Sequence, residues 1–91
     1  MNPETDEKGN KWWYDSNGDY HRDDGPAIEC WQGDKHWYKN GELHRENGPA
    51  IICTNGEEHW YINGKLHRED GPALHHHDGN KYWFLNGKRI T

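Results

Sequence analysis

Apolar positions along this chain do not follow a helical beat: no stretch shows the three-and-four spacing of an amphipathic helix. Instead, short aromatic clusters are parted every seven or eight residues by glycine turns. Nine of the eleven glycines follow Asn or Asp, namely Gly18, Gly25, Gly41, Gly48, Gly56, Gly64, Gly71, Gly79 and Gly87. Asn-Gly and Asp-Gly suit the positive φ angles of tight hairpins. The pattern predicts short antiparallel strands throughout, with no room for helix.

These strands form a repeat. His21-Arg22-Asp23-Asp24-Gly25-Pro26-Ala27 returns as His44-Arg45-Glu46-Asn47-Gly48-Pro49-Ala50 and as His67-Arg68-Glu69-Asp70-Gly71-Pro72-Ala73, in steps of 23 residues. Between these blocks lie Trp37-Tyr38-Lys39-Asn40-Gly41, Trp60-Tyr61-Ile62-Asn63-Gly64 and Trp83-Phe84-Leu85-Asn86-Gly87. The first copy, Trp13-Tyr14-Asp15-Ser16-Asn17-Gly18, carries one extra residue and sits at a spacing of 24. About three and a half units thus fill residues 9–91, and residues 1–8 are expected to be an acidic, flexible tail.

Turn chemistry also fixes a register. A two-residue turn at Asn63-Gly64 sets Ile62 opposite Lys65, Tyr61 opposite Leu66 and Trp60 opposite His67. Pro72 cannot donate to a ladder and marks a bend, after which Ala73-Leu74 open the strand that pairs with Lys81-Tyr82-Trp83. The expected fold is all-β, a single-layer antiparallel meander of about seven main strands, ~30–35 Å across at ~4.8 Å per strand. Because side chains alternate, Trp13, Trp37, Trp60 and Trp83 line one face, and Tyr14, Tyr38, Tyr61 and Phe84 the other.

Composition bears on whether such a chain folds. Leu, Ile, Val and Phe together number only ten of 91 residues, a level typical of disorder. Six Trp and five Tyr at fixed repeat positions supply the missing apolar area. The net charge of −5 resides largely in Glu4, Asp6 and Glu7. A nearly neutral body gives no electrostatic case for nucleic acid or anionic membrane. DNA mimicry needs one charge per ~1.7 Å of duplex, roughly twenty here. No secretory or membrane-spanning run is present, and two cysteines without a leader suit a reducing compartment, so a cytoplasmic protein is expected.

Candidate chemistry is sparse. His21, His44 and His67 recur two strands apart, ~9–10 Å, too far to share one metal, and are each expected to pack on their own Trp. The same spacing separates Cys30 from Cys53, beyond disulfide reach; His76 is their third repeat equivalent, and small half-buried thiols are expected. In the run His75-His76-His77, strand alternation would pair His75 with His77 and leave them without a third ligand. No metal or cofactor is expected. Ser16, the one serine, lies in a turn, and no non-repeating nucleophile constellation stands out. The chain does not read as an enzyme.

Arg22, Arg45 and Arg68 form another column. With aromatics nearby they could hold a nucleotide or a lipid headgroup, although the acids that follow each one can pair with it instead. The aromatic stripes carry the stronger signal, since Trp and Tyr dominate interaction hot spots. The expected partner surface is Tyr14, Tyr38, Tyr61 and Phe84, with Trp37, Trp60 and Trp83. It would take a protein partner or a second copy of the chain through a face or an open edge.

The Trp-Tyr-x-Asn-Gly…His-Arg-x-x-Gly-Pro-Ala unit resembles the MORN (membrane occupation and recognition nexus) repeat, over residues 9–91. It is most similar to the variant found in small bacteriophage and giant-virus proteins. The resemblance implies an elongated, twisted sheet with a scaffold or binding role. Its most concrete form is a small phage-encoded inhibitor of a bacterial defence or host protein, anti-CRISPR-like, working in the host cytoplasm. The alternatives are a ligand-binding repeat using the arginines and a structural, oligomerising protein.

Overall fold

Three of the Asn-Gly pairs form the turns their chemistry allows. Asn40, Asn63 and Asn86 have φ of 53, 50 and 51°, and Gly41, Gly64 and Gly87 follow at 82, 79 and 82°. Two successive left-handed residues define a type I′ turn, whose twist matches an antiparallel pair. The flanking strands are β5 and β6 (Tyr38–Lys39, Glu42–Leu43), β9 and β10 (Tyr61–Ile62, Lys65–Leu66), and β13 and β14 (Phe84–Leu85, Lys88–Arg89). Ile62 faces Lys65 and Tyr61 faces Leu66, the register expected from the turn. The first unit differs. There only Gly18 is left-handed, and the Asp15 carboxylate accepts the Asn17 and Asp19 amides at 2.9 and 3.0 Å. Its hairpin is reduced to a single bridge between Tyr14 and Tyr20.

This computed structural model describes residues 3–90, which are all-β, with fourteen short strands and no helix. The remaining strands are β1 (Glu4–Thr5), β2 (Lys11–Trp12), β3 (Ile28–Glu29), β4 (Lys35–His36), β7 (Ile51–Ile52), β8 (Glu58–His59), β11 (Leu74–His75) and β12 (Lys81–Tyr82). They make one eight-stranded antiparallel sheet in the order β1-β2-β3-β4-β7-β8-β11-β12. The molecule measures 40 × 26 × 16 Å, its long axis close to eight strand spacings.

Direct cross-strand partners share a face, so the sheet has two unlike sides. One row reads Trp12, Ile28, His36, Ile51, His59, Leu74, Tyr82. The other contains Lys11, Glu29 and Lys35 in succession, opposite charges facing across each pair.

The antiparallel meander expected from sequence is present, as one large sheet with three two-stranded hairpins set off from it, because the strand changes partner at the tryptophans. The Trp60 amide donates to Ala73 of the large sheet, while its carbonyl accepts the His67 amide of the hairpin; Trp37 does the same with Ala50 and His44. Ala27, Ala50 and Ala73, at 0% exposure, lie at this crossing and, like Trp13, are buried. Hairpins join in turn: Gly64 donates to Leu43, Gly87 to Leu66, and Arg45 to Tyr61.

Two expectations need correction. Within the stretch expected as a tail, Glu4–Thr5 form β1 and pair with β2, and the Asp6 carboxylate caps the intervening turn by accepting the Lys8 and Asn10 amides; residues 1 and 2 lie outside the described residues. Of the acids that suggested a tail, Asp6 supplies that cap. Second, Gly25, Gly48 and Gly71 are not left-handed hairpin residues. They leave room for an arginine. Among the described residues, no helix is long and apolar enough to cross a membrane.

Candidate functional site

Each complete unit builds the same clamp. The guanidinium carbons of Arg22, Arg45 and Arg68 lie 3.8 Å from the ring centres of Trp13, Trp37 and Trp60. The same arginines donate to the carbonyls of Pro26, Pro49 and Pro72, at 3.1, 3.1 and 3.2 Å. A Cβ placed on Gly25, Gly48 or Gly71 would come within 3.0, 3.0 or 2.6 Å of the guanidinium carbon. The missing Cβ lets the guanidinium lie against the backbone, and Gly-Pro-Ala reads as floor, acceptor and buried methyl. Arg22 also meets Asp24 and Glu29, and Arg68 meets Asp70. These ion pairs lie within a unit rather than between units. Burial pulls Arg45 below its ordinary pKa.

The histidine column links one unit to the next. The amides of Asn40, Asn63 and Asn86 donate to Nδ1 of His21, His44 and His67, each at 3.0 Å. A ring nitrogen that accepts cannot carry a proton, so Nε2 holds it and faces Asp23, Glu46 or Glu69 at 2.9–3.4 Å. These imidazoles were expected to pack on their own tryptophan. The arginine covers that ring, and the imidazole secures the next hairpin's turn.

On the hairpin side the phenols gather. Tyr14 stacks on Tyr20 at 5.3 Å and 17°, and Tyr20 meets Tyr38 at 5.1 Å and 45°. Leu43 faces Tyr38, Leu66 faces Tyr61, and Arg89 faces Phe84, which extends the stripe through every unit. Burial first, then neighbouring phenols, push Tyr14 and Tyr38 above their ordinary values, so both hydroxyls stay protonated. Tyr14, Tyr38, Tyr61 and Phe84 are all half-buried, as are Trp37, Trp60 and Trp83. Of the expected phenylalanine and tyrosine set, Tyr14 and Tyr38 meet through Tyr20, and Tyr61 and Phe84 hold the equivalent strand positions of the next hairpins. The tryptophans sit apart from it, at the crossings.

Sequence reasoning passed over Tyr20, 36% exposed, and Trp31, 55% exposed. Tyr20 falls in the column of Leu43 and Leu66, at the undisturbed 23-residue step, and that column was the signal. Cys30 and Cys53 are free and half-buried. Burial, then the nearby Asp34, raises both thiols, which disfavours a reactive thiolate.

A further group lies at the opposite rim, where the turns between sheet strands meet. The strand ends at His75, and the chain turns at His76, so His76 and His77 come together with ring centres 4.6 Å apart. The expected pairing of His75 with His77 assumed a strand that continues. Glu57 lies among these rings, 2.6 Å from His77 Nδ1 and 3.6 Å from His76 Nε2. The hydrogen bond from His77 is the main cause that holds its carboxyl below the ordinary value.

Compared with known proteins, the chain matches no family model, no curated protein and no solved structure.

Proposed function

We propose that this chain is a non-enzymatic repeat module that binds another protein through the aromatic stripe of its hairpins. The observation that carries this reading is the ladder Tyr14-Tyr20-Tyr38, with Tyr61 and Phe84 at the equivalent strand positions of the next two hairpins. These rings are half-buried in a molecule 16 Å thick, with protonated hydroxyls available as donors. Rigid amphipathic rings of this kind anchor protein interfaces at low entropic cost. Tyr38 and Tyr61 form its centre, since their units have neighbours on both sides.

In the form suggested by the MORN-like resemblance, the module is a small phage-encoded inhibitor that docks on a bacterial defence or host protein in the cytoplasm. The arginine alternative draws less support. Arg22, Arg45 and Arg68 are already engaged with ring, carbonyl or carboxylate, and the surrounding Asp23, Asp24, Glu46, Glu69 and Asp70 oppose an anion. Self-association is a second reading, favoured by the open outer edges of β12 and β14.

The test is affinity capture from a bacterial lysate, read by mass spectrometry, with wild type beside Tyr38→Ala/Tyr61→Ala. The double variant should keep its β circular dichroism and lose the captured protein. A folded variant that captures the same protein removes the stripe as the site. Light scattering on the same pair decides whether the stripe instead joins two copies.

A further inference from the structure

Neighbouring units are joined at the rim by one repeated contact. Asn10 Oδ1 accepts the Trp31 amide at 2.8 Å, and Asp34 Oδ1 accepts the Thr54 amide at 2.7 Å. The third joint changes both partners. Its acceptor is the longer Glu57, its turn carries His76-His77, and the equivalent contact to the His77 amide stretches to 3.4 Å. The carboxylate no longer serves mainly as a cap. Its two oxygens face three imidazoles instead: His77 Nδ1 at 2.6 Å, His76 Nε2 at 3.6 Å and His59 Nε2 at 3.5 Å.

Two features separate this cluster from ordinary surface pairing. Glu57 is only 17% exposed, and His59 24%. His59 Nε2 is buried without a hydrogen-bond partner, at its closest to a carboxylate oxygen. A buried polar nitrogen left without a partner is costly.

We propose that Glu57, His76 and His77 form a site for a divalent transition cation of the zinc class. Imidazole nitrogen with one carboxylate oxygen is a donor set suited to zinc, nickel and copper rather than to calcium or magnesium. Tetrahedral zinc at ~2.0–2.1 Å from each donor separates donors by about 3.3–3.4 Å. The 3.6 Å between Glu57 Oε2 and His76 Nε2 already matches within a few tenths of an ångström. The His77 contact must open by under ~1 Å, which means exchanging a hydrogen bond for a metal bond. Donor atoms of Glu57, His76 and His77 all lie within 4.8 Å of one another. The ion would bridge the turn before β8 to the turn after β11, pinning the third unit to the fourth. Cys30 and Cys53 are not part of this set, and neither is His75.

The test uses the untagged full chain, stripped with chelator and titrated with zinc chloride by calorimetry at neutral pH. One ion should bind per chain, and saturating zinc should raise the melting temperature by about 5 °C or more. Glu57→Gln and His76→Ala/His77→Ala should each weaken binding by at least tenfold and remove the thermal shift, while Cys30→Ser/Cys53→Ser leaves both intact. Binding should also fade as the imidazoles protonate on acidification. Absence of heat and of thermal shift at millimolar zinc overturns the site, as does undiminished binding in folded Glu57→Gln. Loss of binding in the cysteine variant assigns the ion to the thiols and overturns it equally.

Discussion

The first three tryptophans and the fourth occupy the same repeat position but not the same environment. Trp13, Trp37 and Trp60 each lie beneath an arginine at 3.8 Å. Among the described residues no arginine stands over Trp83; Arg89 lies instead over Tyr82, at 4.6 Å. In the sequence, Ile90-Thr91 occupy the places of His-Arg. The difference shows what the His-Arg-x-x-Gly-Pro-Ala block contributes. It supplies a lid for the tryptophan of its own unit and a latch for the turn of the next hairpin.

The largest effect that would break this comparison is loss of the ring itself. Trp60→Ala should cost about 3–4 kcal/mol, through lost burial and the lost cation–π contact. Trp83→Ala should cost about half as much. Equal losses in urea unfolding would mean that the arginine lid adds nothing. Next comes the space beneath the lid. Gly71→Ala places a methyl 2.6 Å from the Arg68 guanidinium carbon. It should cost about 1–3 kcal/mol as overpacking, and more than Gly48→Ala, where the approach is 3.0 Å. A melting temperature unchanged in both variants would show that the guanidinium moves aside freely.

The latch is a smaller matter. His67→Ala leaves the Asn86 amide to water and should cost about 1 kcal/mol, with faster amide exchange at Asn86 as its local signature. The smallest expected effect concerns acidity. Burial first, then His59, lowers the His36 pKa below its ordinary value of 6.5. The unfolded chain therefore binds that proton before the folded one does. Stability is complete above about pH 6.5 and is lost as pH falls below it, down to the folded value. Tyr82 holds the equivalent column position, so His36→Tyr should fold and show a shallower loss between pH 7 and 5. An identical slope would place the acid sensitivity elsewhere.

Much of this fold was legible because its turns are chemically explicit. Asn63-Gly64 dictates a type I′ turn, and with it the pairing of Tyr61 with Leu66. The glycines of Gly-Pro-Ala looked alike on paper, yet they answer a steric demand from a side chain three residues earlier, which a turn rule does not contain. The arginine and histidine columns were visible as columns. Their partners were not, because Arg45 reaches Trp37 and Pro49 in its own unit, whereas His44 reaches Asn63 in the next. The aromatic stripe was legible from alternation alone. The Glu57 cluster was missed because a strand was assumed to continue through His76, when it ends one residue earlier.

The central claim is that the arginine column is used inside the units, which leaves the hairpin stripe free for a partner. Urea unfolding of Arg45→Lys tests it most directly, since lysine keeps the charge but loses the flat stacking surface and the fork that reaches Pro49. The expected result is a loss of about 1–2 kcal/mol, seen as a lower midpoint at unchanged slope. An unchanged midpoint would contradict the claim and return Arg22, Arg45 and Arg68 to the surface as candidates for binding.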